Sequence, residues 1–170
     1  MTELYKRKYY KYKTKYLSLK GSGDNKPKIT LYHGSPYDVE VLETRSPRGH
    51  NEFQRMNAVF FTDDIDQAKI YALARDKERT RRGWAVFKGK LYTLDDFQFN
   101  DIGYVYQYTT DDYLTDPSSP QQFAIPHNVT PDKKITVYPE DIKHSHIVLT
   151  MEEMKKLSEE MKKYIDNLTK

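Results

Sequence analysis

The 170-residue chain contains no cysteine. That excludes disulfides and thiolate metal centres, and it fits a reducing compartment. No apolar run approaches the roughly 18 residues that a membrane-spanning helix needs. Lysines interrupt the N-terminus throughout, so it carries no signal-peptide core. The expectation is an intracellular protein, and the Asn-Val-Thr at 128–130 then reads as an unused glycosylation match. Glycine (7) and histidine (5) are both scarce, so the place where they stand side by side, His33-Gly34 at the end of a short apolar run, asks for a reason.

What is present is polar-leaning but foldable: 37% hydrophobic and 31% charged residues, with Tyr 15 and Phe 7 supplying much of the apolar area. This is the size of one domain with a real core. The net charge of +3 is unevenly placed. Residues 1–20 hold seven basic residues against Glu3, a local +6, which leaves −3 for the rest. In that leader Tyr5, Tyr9, Tyr12, Tyr16 and Leu19 recur at helical spacing among lysines, and 21–27 reads as a linker. A basic helix with tyrosines suits an arm for nucleic acid, its contact running over residues 5–20. The plainer reading is a solvated helix whose tyrosines pack on the domain. Leaders of this KYKTKYLSLKG type resemble those of many proteins of giant DNA viruses, which would place the chain in the cytoplasm or nucleus of a host.

From Lys28 the pattern is mixed. KITLYHG alternates as a strand, and AVFFT at 58–62 is a short buried strand. DDIDQAKIYALARDKE at 63–78 has Ile65, Ala68, Tyr71, Ala72 and Arg75 at helical spacing, with acidic residues in the first turn. GWAVFKGKLYTL reads as one or two strands, and DIGYVYQY fits either a strand or a short helix. QQFAIP, KKITVY and SHIVLT read as three more strands. Thr150 and Glu153 form a capping box that opens a final helix, with Met151, Met154, Leu157, Met161 and Ile165 along one face. Many short strands with few helices predict an α+β fold rather than a doubly wound sheet. The organisation expected is a leader helix (1–20), a linker (21–27), a domain (28–150) and a C-terminal amphipathic helix (151–170).

Chemistry concentrates in LYHGSP (31–36) and AVFFTDDIDQAKIYA (58–72). Phe60 at a strand end and Tyr71 in the following helix can bring two rings to one side of a cleft, where a flat ring fits between them. His33 can donate a hydrogen bond to a hydroxyl, and Gly34 lets the backbone approach an amide closely. On these residues the chain resembles the ADP-ribosyltransferase fold, most closely the branch that includes the poly(ADP-ribose) polymerases. That family's Trp/Tyr-His-Gly-Ser strand end is matched by Tyr32, His33, Gly34 and Ser35. Its Gly-Ile-Tyr-Phe-Ala-Asp strand and Ser-Ala-Asn-Tyr helix are matched by Phe60, Phe61 and Asp63, then Tyr71, without a gap. Its third element, a glutamate opening a late strand, falls in PQQFAIP on Gln122.

The resemblance covers about residues 28–150 and implies split antiparallel sheets with few helices and NAD as substrate. It implies a catalytic set of Gln122, His33 and Tyr71 and a NAD-binding set of Tyr32, His33, Gly34, Ser35, Phe60 and Tyr71. His33 would bind a ribose hydroxyl, Gly34 the nicotinamide carboxamide, and Phe60 and Tyr71 the nicotinamide ring. No metal is called for. Gln122 is the departure, because an amide lacks the charge that stabilises a cationic transition state. Polymer elongation is therefore not expected, and the implied reaction is single ADP-ribose transfer to a protein or nucleic-acid acceptor. Glu140, in YPEDI, is another candidate carboxylate. One alternative within the fold is an RNA 2′-phosphotransferase-like activity, which needs a set of phosphate-binding arginines. The other is a binding module that keeps the cleft or the fold without turnover. Phe60, Phe61 and Tyr71 read equally well as core. His144 and His146 read as surface residues, since two histidines without a carboxylate make a poor metal site. The basic stretch 75–83 reads as a helix end that could also hold phosphates.

Overall fold

In the computed structural model the chain is described over residues 26–45, 53–74, 83–95, 97–116 and 119–168. The leader, most of the linker, the basic stretch 75–82 and the side chain of Ile165 lie outside the described residues.

Among the described residues the chain forms two sheets and two α-helices, an α+β arrangement. The strands are β1 (Ile29–Ser35), β2 (Val59–Thr62), β3 (Trp84–Phe87), β4 (Lys90–Leu94), β5 (Gly103–Thr110), β6 (Leu114–Asp116), β7 (Ser119–Ile125), β8 (Lys133–Val137) and β9 (Ser145–Leu149). The helices are α1 (Ile65–Leu73) and α2 (Met151–Leu168), and a 3-10 turn spans Pro139–Asp141. Six strands build an antiparallel sheet in the order β6-β7-β2-β1-β5-β8, and β3-β4-β9 build a second. In that second sheet β9 runs parallel to β4.

Strand alternation divides the larger sheet into two faces. Leu31, Phe61, Tyr106, Phe123 and Ile125 form a core on one face, closed by Leu42 and Val129, whose backbones pair with each other. Tyr106 is fully buried there, and its hydroxyl donates to the Tyr37 carbonyl and accepts from the Val39 amide. The chain leaving β1 is thereby pinned across the sheet.

The other face carries α1. Asp64 caps it by accepting from the amides of Asp66 and Gln67. The helix is shorter than the sequence pattern suggests. It stops at Leu73 because Ala74 turns extended (ψ 115°) and bridges to Phe99, while Asn100 donates to the Leu73 carbonyl. Tertiary pairing therefore overrides the helical periodicity that runs on to Arg75. Ala68, Ala72 and Leu73 pack on Val105 and Val137. Close approach is enforced by two glycines. A Cβ at Gly34 would lie 2.0 Å from the Ala68 carbonyl oxygen, and one at Gly103 would lie 2.6 Å from that of Ala72. Neither position has room for a side chain.

The smaller sheet is held by α2, whose Met154 and Leu157 pack on Phe87 and Leu94. The capping box at its start is present: Glu153 accepts from the Thr150 amide, and Thr150 Oγ1 accepts from the Glu153 amide. Met151 lies off the buried stripe at 44% exposure. DIGYVYQY is strand β5, and GWAVFKGKLYTL is the hairpin β3–β4, turned at Lys88 and Gly89, both with positive φ.

Candidate functional site

β1 pairs with β5 along its whole length, from Ile29 to Ser35, but with β2 at one residue pair, Tyr32 opposite Thr62. β2 in turn pairs with β7 at every residue, including Thr62 opposite Gln122 and Phe60 opposite Ala124. Tyr32, Thr62 and Gln122 therefore form one cross-strand row. Beyond it β1 and β2 part, and this split separates Gly34 from Phe60.

His33 bridges the split. Its Nδ1–H donates to the Phe60 carbonyl at 2.7 Å, because a carbonyl oxygen can only accept. Burial lowers the imidazole pKa, the Phe60 carbonyl opposes that shift, and the nearby Arg45 guanidinium adds to it. Although the residue as a whole is half-buried, burial of the ring favours its neutral form. With Nδ1 committed as the donor, the neutral ring offers Nε2 as an acceptor. The sequence-based expectation that His33 donates to a hydroxyl is corrected: it would accept from one. His33 also packs edge-on to Phe61 (5.8 Å) and lies against Tyr106 (6.4 Å), on the face opposite α1.

Gly34, Phe60, Tyr71 and Gln122 all belong to the α1 side. A Cβ at Gly34 would also sit 2.9 Å from that of Tyr71, so Tyr71 leaves the helix directly over the glycine. Gly34 thus has a packing reason for being glycine as well as any ligand role. The Tyr71 ring meets Trp84, the first residue of β3, edge to face at 4.9 Å and 78°. Phe60 packs edge-on to Phe53 at 5.9 Å and shares a small core with Leu114 and Ala124.

Gln122 is half-buried, and its Oε1 accepts from Gln54 Nε2 at 3.2 Å. Beside it Thr62 donates to Gln67 Oε1 and accepts from the Asp64 amide. Glu140 is exposed in the 3-10 turn after β8. Between β7 and β8 in the sheet lie β2, β1 and β5, so Glu140 stands at the far edge from Gln122. It does not supply the missing carboxylate in this arrangement.

The remaining candidates have structural partners. Tyr32 packs against the Ala68–Ala72 side of α1, and buried Ser35 accepts from the Tyr37 amide through Oγ. His146 hydrogen-bonds Thr93 at 2.6 Å, and His144 keeps a buried Nδ1 without a partner. The described residues include no group of three or more His, Cys, Asp or Glu that could hold a metal, and no helix long and apolar enough to cross a membrane. Trp84, Gln54 and Arg45 are the residues that sequence reasoning missed. The only tryptophan of the chain, on a strand following the proposed site helix, was the one available signal. No family model, no curated protein and no solved structure matches the chain.

Proposed function

We propose that this is an ADP-ribosyltransferase-type domain that holds NAD in the split between β1 and β2 and transfers single ADP-ribose units. The observation that carries this reading is the split itself, which has Gly34 on one lip, Phe60 on the other, Tyr71 over the glycine and His33 across the gap. On this reading Phe60 and Tyr71 would wall a flat nicotinamide, and His33 Nε2 would accept a ribose hydroxyl. In the reaction the bond from ribose C1′ to the nicotinamide nitrogen breaks, its electron pair leaving with nicotinamide. A lone pair of the acceptor nucleophile forms the new bond to C1′, and the acceptor's proton passes to solvent. Calorimetry tests the site. Tyr71→Ala should weaken NAD binding by about 1–3 kcal/mol, the scale of a stacked aromatic. NAD affinity unchanged in a His33→Ala, Tyr71→Ala double variant would put the cleft elsewhere.

Gln122 favours a second reading, a NAD-binding module with little or no turnover. Its amide is neutral, and its oxygen already accepts from Gln54, so it brings no charge to a cationic ribose centre. Gln122→Glu tests whether the amide limits turnover. It should raise NAD cleavage about tenfold if even 1.4 kcal/mol of transition-state stabilisation returns, with affinity changing far less because the ground-state ribose carries little charge. A gain from a slow wild type supports this second reading; no gain in an active wild type means that Gln122 does not stand at the third position. For either, the +6 leader is the proposed contact to a nucleic-acid partner. Deleting residues 1–20 should abolish any salt-sensitive binding.

A further inference from the structure

We infer that Trp84 is a positioning residue for the proposed nicotinamide site, and that the three-stranded sheet serves as the site's back wall. The inference rests on the NAD reading and names what holds its central aromatic in place. Tyr71 is fixed at two points. Its Cβ lies over Gly34 of the larger sheet, and its ring meets Trp84 of the smaller one at 4.9 Å and 78°. An edge-to-face contact fixes how the tyrosine ring is tilted. It also restrains the ring's rotation, so less side-chain freedom is lost on stacking.

Trp84 is itself firmly placed. It pairs with Thr93 across the β3–β4 hairpin, and the Leu94 amide donates to the Gly83 carbonyl beside it. β4 then pairs with β9, and Leu94 and Phe87 pack on α2. Through Trp84 the order of this second layer reaches a residue on the first. If Trp84 merely filled space, its loss would lower stability and leave the ligand's affinity alone. As a positioning residue it must act on affinity, and only while the Tyr71 ring is present.

The test is a double-mutant cycle on the full chain, titrated with NAD and separately with nicotinamide. Trp84→Ala should weaken both ligands by about fivefold to tenfold, the equivalent of one aromatic pair. Trp84→Phe, which keeps an edge-to-face partner, should recover most of that loss. In a Tyr71→Ala background Trp84→Ala should cost nothing further. Equal losses with and without the Tyr71 ring, or full affinity in Trp84→Ala, overturn the inference while the NAD reading stands. Should Trp84→Ala fail to fold, the wild-type protein still decides. Trp84 is the chain's one tryptophan, so its emission must change saturably with nicotinamide, at the midpoint found by calorimetry. A flat emission signal with calorimetric binding overturns the inference alone, and no binding of either ligand to wild type overturns both.

Discussion

The two sheets solve the same problem with different margins. The six-stranded sheet is covered on both faces, by α1 on one and by the Val39–Arg45 segment on the other. Its helix is seated so closely that two glycines are obligatory. The three-stranded sheet relies on α2 for one core, in which Phe87, Leu94, Met154 and Leu157 each keep 7–9% exposure. The first layer is tightly fixed and carries the split. The second is shallower and touches Tyr71 through Trp84. Precision resides where backbones meet, and tolerance where flexible methionines fill the gap.

The largest effect should come from breaking the tight layer. Gly34→Ala drives a methyl group into the Ala68 carbonyl, which only lifting α1 from the sheet can relieve. We expect a loss of about 3 kcal/mol or more and a Tm drop of about 10 °C in thermal denaturation. A Tm within error of wild type would mean that the helix is seated less closely than described. Leu157→Ala attacks the shallower layer and should cost about 2 kcal/mol, the low end for a leucine truncation. Hydrogen exchange should show lost protection in β4 and β9 with β1 and β5 still protected. Uniform loss across both sheets would show that the layers unfold as one unit.

A gentler effect should appear with pH. Burial lowers the folded-state pKa of His33 below its ordinary value. The unfolded chain then binds the proton more readily, so stability is full above about pH 6.5 and declines as pH falls toward the lower folded value. On the proposed NAD reading, affinity should fall in the same window, because a protonated Nε2 no longer accepts a hydroxyl. His33→Asn can still donate to the Phe60 carbonyl and should flatten the Tm-against-pH slope there; an unchanged slope would assign it to other groups.

The smallest effect concerns the clamp on α2. Lys88 Nζ lies over the rings of Phe87 (4.7 Å) and Tyr164 (5.6 Å) and pairs with Glu160 at 3.2 Å. Yet Lys88 itself adopts φ +48°, which asparagine tolerates better. Lys88→Asn should lose about 0.5–1 kcal/mol of exposed cation–π and ion-pair energy, partly offset by the relaxed turn. A net gain in Tm would show that turn strain outweighs the clamp.

Much of this fold is legible in the sequence because its signals are local. The apolar runs around Leu31 and Phe61 and the capping box at Thr150 each report their own conformation. What escapes is non-local. Nothing near Leu73 announces that Ala74 will pair with Phe99 and end the helix, and three-residue β6 is too short to show a period. Nor does any local pattern reveal that β9 runs parallel to β4. At the candidate site the same division holds. Gly34, Phe60 and Tyr71 are recognisable by type and spacing, whereas Gln54 and Trp84 reach it only through tertiary contacts. The donor–acceptor sense of His33 depends on a carbonyl twenty-seven residues away.

The parallel pairing of β4 with β9 also sets an order of events during synthesis. Lys90 must wait for Ser145, and Leu94 for Leu149. By then every strand of the larger sheet has already been made. Contacts so distant in sequence form slowly, because loop closure comes before any gain. Until β9 arrives, β4 presents an open edge that neighbouring chains can extend. A nascent chain halted before Ser145 would carry the split, the glycine seat and Tyr71, but with an adhesive hairpin in place of a finished second layer.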